Sequence, residues 1–263
     1  MNRLSEYIQV YQSPFWQLNS CLVQHLGTSI AWDIAFTTPE IYGILDQVRD
    51  VHSIEKFHIY THGDYDHIVA YPYLEGFVHL ASEAMTERND KQHSIDKLRR
   101  ADHEFYFERP YEYAYPSIEK IVLKDCIQES VQLGSLEAII LKAGGHTGDG
   151  IFTVIPELSL WVAGDYLSDI EFPFIEDSID EYFKTLDLAD KILQDHQPEF
   201  MIPGHGSYSC SIRDTKHRID QSRSYLDSLI KPDIKDWRAS WGHSPFETIL
   251  DKIHLENIHR VRS

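Results

Sequence analysis

The chain has 263 residues, 42% of them apolar, and a formal net charge of −18 from 24 basic and 42 acidic side chains. That length suits one large domain with a substantial core. So acidic a surface repels phosphate backbones, which excludes nucleic acid as a general partner, and no stretch approaches the ~18 apolar residues of a membrane span.

The opening residues, MNRLSEYIQVYQ, lack the long apolar core of a signal peptide, so a cytoplasmic protein without a membrane partner is expected. Two short apolar runs follow, CLVQHL (21–26) and SIAWDIAF (29–36), with Gly27 between them. They read as a strand, a tight turn and a second strand. Next comes TTPEIYGILDQVRD, where Thr38 caps, Pro39 fits the first helical position, and Ile41, Ile44, Leu45 and Val48 share one face. FHIY (57–60) and GFVHLAS (76–82) are strands. Residues 83–104 are charged and helical, with DKLRR (96–100) as a solvated face. An aromatic patch follows, with rings at 105, 106, 107, 111, 113 and 115.

Strands return at KIVLKD (120–125), LEAIILKA (136–143), GIFTVI (150–155) and LSLWVAGD (158–165). Ile179, Tyr182, Phe183, Leu186, Ala189 and Leu193 recur at helical spacing before Pro198. PEFMIPGHG is a last short strand running into a loop. Ile212, Ile219 and Leu226 stripe another helix, and Ser244-Pro245-Phe246-Glu247 has the capping-box pattern that opens a final one. Cys21, Cys126 and Cys210 are far apart and odd in number, which argues against a disulfide framework. Mixed sheets flanked by helices, an α/β layered protein, are the expectation.

Four glycine-framed loops, each after an apolar run, end in potential metal ligands. They are THGDYDH with His62, Asp64, Asp66 and His67; GGHTGDG with His146; AGDY with Asp165; and PGHG with His205. Imidazole and carboxylate together suit borderline or hard divalent cations. Seven such groups exceed the four ligands of one tetrahedral site and suit two ions better than one.

These loops, in this order, resemble the metallo-β-lactamase superfamily, whose first motif is usually His-x-His-x-Asp-His. The resemblance covers roughly residues 15–210 and includes NSCLV (19–23) and AWDIA (31–35). It implies a single domain over 1–263 with an αββα four-layer sandwich, two mixed sheets between helices. Residues 83–118 would form an inserted helical and aromatic lid, and 211–263 the C-terminal helices. It also implies that His62, Asp64 and His146 hold one ion, that Asp66, His67 and His205 hold a second, and that Asp165 bridges them. A metal-bridging hydroxide would be the nucleophile, oriented by Asp66, which would also shuttle the proton. Asp33 and Thr147 would orient ligands, and Tyr166 and Tyr208 would assist an oxyanion.

Asp64 departs from the motif, because it stands where the second histidine is expected. The resemblance by itself implies zinc. A third ligand carboxylate makes the centre less positive and favours iron or manganese. The expected activity is hydrolysis of a small ester, lactone, thioester or phosphodiester. A non-haem diiron redox protein related to the flavodiiron branch, which carries a carboxylate at this position, is the alternative, and a non-catalytic binding module on the same fold is the third reading. The expected partner is a small-molecule substrate. The aromatic patch 105–115 reads equally as a lid over that substrate, as packing against the domain or as a homodimer contact.

Overall fold

The computed structural model describes residues 1–50, 54–231, 236–242, 244 and 246–262. The first sheet comprises β1 (Asn2–Arg3), β2 (Ile8–Gln12), β3 (Asn19–His25), β4 (Thr28–Trp32), β5 (Glu55–Ile59), β6 (Val78–Ser82) and β7 (Lys120–Val122), side by side in sequence order. Strands β1 to β4 are antiparallel, joined by short turns. From β4 onward the strands run parallel, because the chain returns each time through longer connections. The first of these is α1 (Thr38–Asp50).

The second sheet comprises β8 (Gln128–Leu133), β9 (Leu136–Lys142), β10 (Ile151–Ile155), β11 (Leu160–Gly164) and β12 (Phe200–Pro203), in reverse sequence order across the sheet. Only β11 and β12 are parallel, and α4 (Ile179–Asp195) crosses between them. Ser178 caps α4 by accepting from the Glu181 amide. The last helices are α5 (Ile212–Ile230), α6 (Arg238–Trp241) and α7 (Glu247–Arg262), labelled after α2 (Glu83–Glu87) and α3 (Lys91–Phe105).

Side-chain alternation sends one face of each sheet inward. Val10, Cys21, Val23, Ile30, Trp32 and Ile59 of the first sheet meet Leu133, Ala138, Ile140, Ile151, Val162 and Ile202 of the second. Each such fully buried aliphatic side chain stabilises the fold by about 1.5–3 kcal/mol. The outer face of the first sheet packs Leu22 and Ala31 against Ile41, Ile44, Leu45 and Val48 of α1. The outer face of the second packs Phe152, Trp161 and Met201 against Leu186, Ala189 and Ile192 of α4 and Ile219 and Leu226 of α5. The result is the αββα four-layer sandwich.

The expected elements are found, with three differences. Strands β1, β2 and β8 join the sheets unannounced by the sequence. In β8 only Val131 and Leu133 face the core, and the intervening polar residues hide the strand. The helical stretch 83–104 is broken at Arg88, whose extended backbone (φ −51°, ψ 132°) separates α2 from α3. The aromatic patch folds back onto the domain. Phe105 and Phe107 surround Phe15, itself stacked on Phe36 at 3.7 Å, and the Arg109 guanidinium grips Asp102 and the Phe36 carbonyl.

Helix α7 starts at Glu247, and the Ser244 hydroxyl accepts from the Phe246 amide. Pro245 of the expected capping box lies outside the described residues. The helix is fastened to the loop after β11. Asn257 donates to the Pro173 carbonyl at 2.7 Å and accepts from the Ile175 amide at 3.0 Å. Among the described residues no helix is long and apolar enough to cross a membrane.

Candidate metal centre

Strands β9, β11 and β12 end at one edge of the second sheet, and β5 ends at the matching edge of the first. The four glycine-framed loops therefore meet there. Three backbone bonds seal the junction: Ile151 N–H to the Thr61 carbonyl (2.8 Å), Asn19 N–H to the Gly204 carbonyl (2.6 Å) and Gly204 N–H to the Gly164 carbonyl (2.5 Å). The Asn19 side chain adds bonds to the Pro203 and Gly206 carbonyls, at 2.9 and 2.8 Å.

All seven predicted ligand residues are brought together. Asp165 lies at the centre. Its Oδ1 is 3.1 Å from His67 Nε2, and its Oδ2 is 3.4, 3.5 and 3.7 Å from Nε2 of His146, His205 and His62. On one side Asp64 Oδ2 is 3.9 Å from His62 Nε2 and 4.0 Å from His146 Nε2. On the other, Asp66 Oδ2 is 3.4 Å from His205 Nε2. Two triads fall within ligand reach of a single ion, His62–Asp64–His146 and Asp66–His67–His205, and a third group, His62–His67–Asp165, draws one histidine from each.

Each imidazole has an oxygen behind its Nδ1. That of His146 faces the Phe174 carbonyl at 3.0 Å and that of His205 the Trp16 carbonyl at 2.9 Å. His67 Nδ1 lies 3.0 Å from Asp33 Oδ2, and His62 Nδ1 lies 3.0 Å from the Thr61 hydroxyl. Thr61 in turn donates to Asp33 Oδ2 at 2.6 Å, so Asp33 steadies one ligand of each triad. With an acceptor hydrogen-bonded behind Nδ1 of His62, His146 and His205, the proton sits there and Nε2 points into the cluster. The Nε2 atoms of His62, His67 and His146 and Oδ1 of Asp165 are buried without a hydrogen-bond partner, as is Nδ1 of His67, which lies within ion-pair distance of Asp33 but makes no hydrogen bond to it. Such atoms are costly to bury unless something coordinates them. The donor set and its orphaned atoms fit two cations.

The electrostatics say the same. Burial pulls His67 down, but Asp165, Asp33 and Asp66 outweigh it and hold that imidazole well above its usual range. His205 and His146 are likewise disfavoured by burial yet lifted, chiefly by Asp165, to about 10 and about 9. His62 is pushed well below its usual value by burial, with His67 adding to the effect. Burial would raise Asp165 and Asp64, but the surrounding imidazoles hold Asp165 far down and Asp64 at about 2. Without cations the carboxylates are balanced by protonated imidazoles, and those protons leave when a cation takes their place.

The other expected site residues divide. The Tyr166 hydroxyl is committed to the loop that carries His146: it accepts from the His146 amide at 2.9 Å and donates to the Gly144 carbonyl at 2.6 Å. Tyr208 packs against the inter-sheet core. Neither is among the residues that line the cavity above the cluster. Thr147 Oγ1 is buried and bonds to none of the seven groups among the described residues. Ordinary histidines stay ordinary: His79 bonds the Tyr60 hydroxyl, and His254 faces Tyr225.

Residues not singled out in the sequence complete the site. Arg88 reaches Asp64 Oδ1 at 3.2 Å and Asp149 at 3.2 Å. A cavity of about 190 Å³ opens over the cluster. Its floor is Asp64, Asp66, His146, Asp165 and His205; its apolar wall is Trp16, Phe174, Phe246, Ile249, Leu250 and Ile253, four of them on α7 or the residue before it. Glu171 also lines it, with a carboxyl that burial pushes up to about 7. Of the expected lid 83–118 only Lys97 reaches this cavity, paired with Glu176 at 3.8 Å. The apolar cover is supplied by α7: of the aromatics at 105–115, Phe105 and Phe107 pack on Phe15, Tyr111 on Tyr73, and Tyr113 donates to Asp102. Only long-range packing brings α7 here, so no local pattern announces it.

Gly204 shows how closely the loops approach. A Cβ there would lie 2.0 Å from Asp165 Oδ1 and 3.1 Å from the His67 ring. Gly204→Ala is expected to displace Asp165, to weaken retention of bound metal, and to destabilise the fold by about 1–3 kcal/mol. Elemental analysis and a denaturant titration check this; unchanged metal content would sink it.

No protein-family profile matches the chain, and no curated protein matches it. Solved structures do. The metallo-β-lactamase family protein TTHA1429 from Thermus thermophilus superposes with a TM-score of 0.65 at 17% identity, over 97% of this chain and 93% of that one. The DIM-1 metallo-β-lactamase gives 0.56 at 14% identity, over 85% and 95%. The stereoselective inverting sec-alkylsulfatase Pisa1 from Pseudomonas sp. gives 0.63 at 11% identity, over 86% of this chain but 41% of that one. This chain thus spans less than half the length of the alkylsulfatase. The shared fold is the metallo-β-lactamase fold.

Proposed function

We propose that the protein is a metal-dependent hydrolase holding two divalent cations, one by His62, Asp64 and His146, the other by Asp66, His67 and His205, with Asp165 between them. The carrying observation is the set of partnerless imidazole Nε2 atoms converging on Asp165 at the floor of a cavity. Similarity in fold to a protein named as a β-lactamase and another named as an alkylsulfatase supports hydrolysis. When bound, the two ions supply an acidified attacking water and a Lewis acid for the substrate's oxygen.

The chain's own residues do the rest. Asp66 lines the cavity beside His205 and is the carboxylate placed to hold the proton of the attacking water. Glu171, whose carboxyl burial raises to about 7, lines the same cavity and is the group assigned to protonate a leaving group. Trp16, Phe246, Ile249 and Ile253 keep bulk water away from that exchange and offer an apolar wall to the substrate. Lys97 lines the same cavity, so an anionic phosphodiester stands beside the small ester, lactone and thioester among the expected classes.

Zinc is the usual ion of this fold family, and Asp64 favours iron or manganese. The test is elemental analysis of protein grown without added metal, joined to a turnover screen over esters, lactones, thioesters and phosphodiesters. About two ions per chain are expected, with turnover that a chelator abolishes and metal restores. Stoichiometric iron with an oxygen-sensitive spectrum and no hydrolysis would overturn the hydrolase in favour of diiron redox chemistry. Turnover that survives complete metal removal would overturn the metal reading.

A further inference from the structure

We infer that Arg88 is a positioning residue for Asp64: its guanidinium holds Oδ1, so that Asp64 presents one oxygen, Oδ2, to the cation it shares with His62 and His146. The inference rests on the dinuclear reading above and concerns the one ligand that departs from the motif.

The guanidinium is itself immobilised. Its Nε and Nη2 form a two-pronged pair with Asp90, at 2.8 Å to each oxygen. Its Nη1 lies 3.2 Å from Asp64 Oδ1 and 3.2 Å from Asp149 Oδ2. Such a fork is rigid in a way that a lysine is not. Asp149 is almost wholly buried and also accepts from the Gly63 amide at 2.8 Å. One carboxylate thereby ties Arg88 to the backbone immediately before Asp64. Gly63 is required by this arrangement, since a Cβ there would lie 2.1 Å from the Tyr115 hydroxyl, 2.9 Å from Asp149 Oδ2 and 3.1 Å from Arg88 Cδ. The break between α2 and α3 delivers Arg88 to this point, and the Ser82 hydroxyl, which caps α2, donates to the Asp149 carbonyl at 2.7 Å.

One consequence follows. A free carboxylate can grip a cation with both oxygens, whereas one whose Oδ1 is already held by a guanidinium offers a single donor, as an imidazole does. The guanidinium charge is itself matched by Asp90 and Asp149, so Arg88 acts on Asp64 through donor number and direction, and a single carboxylate oxygen is a donor zinc accepts.

The test reads metal affinity and stoichiometry, with Zn²⁺ and Mn²⁺ added separately to the metal-free full chain against a chromophoric chelator. Arg88→Met is expected to weaken one of the two sites by about 10- to 100-fold, the usual effect of removing a partner that orients a ligand, and to leave the other near the parent value. Arg88→Lys, which keeps the charge, is expected to recover part of that loss. In an Asp64→His background, Arg88→Met is expected to leave the affinity of both sites unchanged, because the oxygen it held is gone. Two ions at parental affinity in Arg88→Met would overturn the inference, and so would equal losses in both backgrounds, which would mark a general structural role. If Arg88→Met does not fold, Arg88→Gln carries the same comparison. A parent chain that takes up fewer than two ions overturns the dinuclear reading itself, and is seen before any variant is made.

Discussion

Asp66→Asn is expected to lower turnover by about 10²- to 10⁴-fold, the range for losing a positioned proton acceptor, while the metal-free fold loses no stability. Asparagine keeps the shape and one oxygen donor but cannot take a proton from water. The Asp66 carboxyl is buried, and burial pushes it up, so its charge is a cost to the metal-free chain that asparagine removes. Its nearest cation is the His205 imidazole at 3.4 Å, which keeps Asp165 as a second partner at 3.5 Å. Steady-state kinetics at saturating metal, with the thermal midpoint of the metal-free protein, separate the two effects. Full activity in the variant would refute the role given to Asp66.

Asp165→Asn should act on everything at once. One carboxylate faces four imidazoles, and three of them are held protonated in the metal-free chain mainly by its charge. Removing that charge leaves buried imidazolium groups short of a counterion. Breaking a buried ion pair from one side costs about 3–5 kcal/mol, so the metal-free protein should unfold at clearly lower denaturant at neutral pH. Both metal sites should weaken together, unlike the single-site loss expected at Arg88. An Asp165→Asn chain that binds two ions at parental affinity would show that Asp165 does not join the two sites.

The ligand loops were legible because they are local. Glycine, imidazole and carboxylate recur in short spacings after apolar runs, and those runs betray strands by their composition. His62, Asp66 and His67 lie within six residues of one another, and Asp33 follows the strand that ends beside them. The strands with one polar face, β2 and β8, were not legible, since their inward residues are too few to stand out.

The surroundings of Asp64 were a different matter. Arg88 lies 24 residues from it in sequence, and nothing local distinguishes it from the many other charged side chains; Asp149, 85 residues away, stands in the GGHTGDG loop with His146, but no local pattern ties it to Asp64. The same holds for α7, whose apolar residues read as an ordinary amphipathic helix until the fold lays them over the cluster.

The sequence alone determined most strands and helices and the seven ligand-type side chains, because periodicity and glycine-framed turns are written in neighbouring residues, and the resemblance those loops carry implied the four layers. Tertiary structure alone decided which tyrosines face away, which helix covers the cavity, and that Asp64 shares its carboxylate with a guanidinium. Those outcomes depend on contacts between segments far apart in the chain, where burial and charge pairing, not local pattern, select the partner.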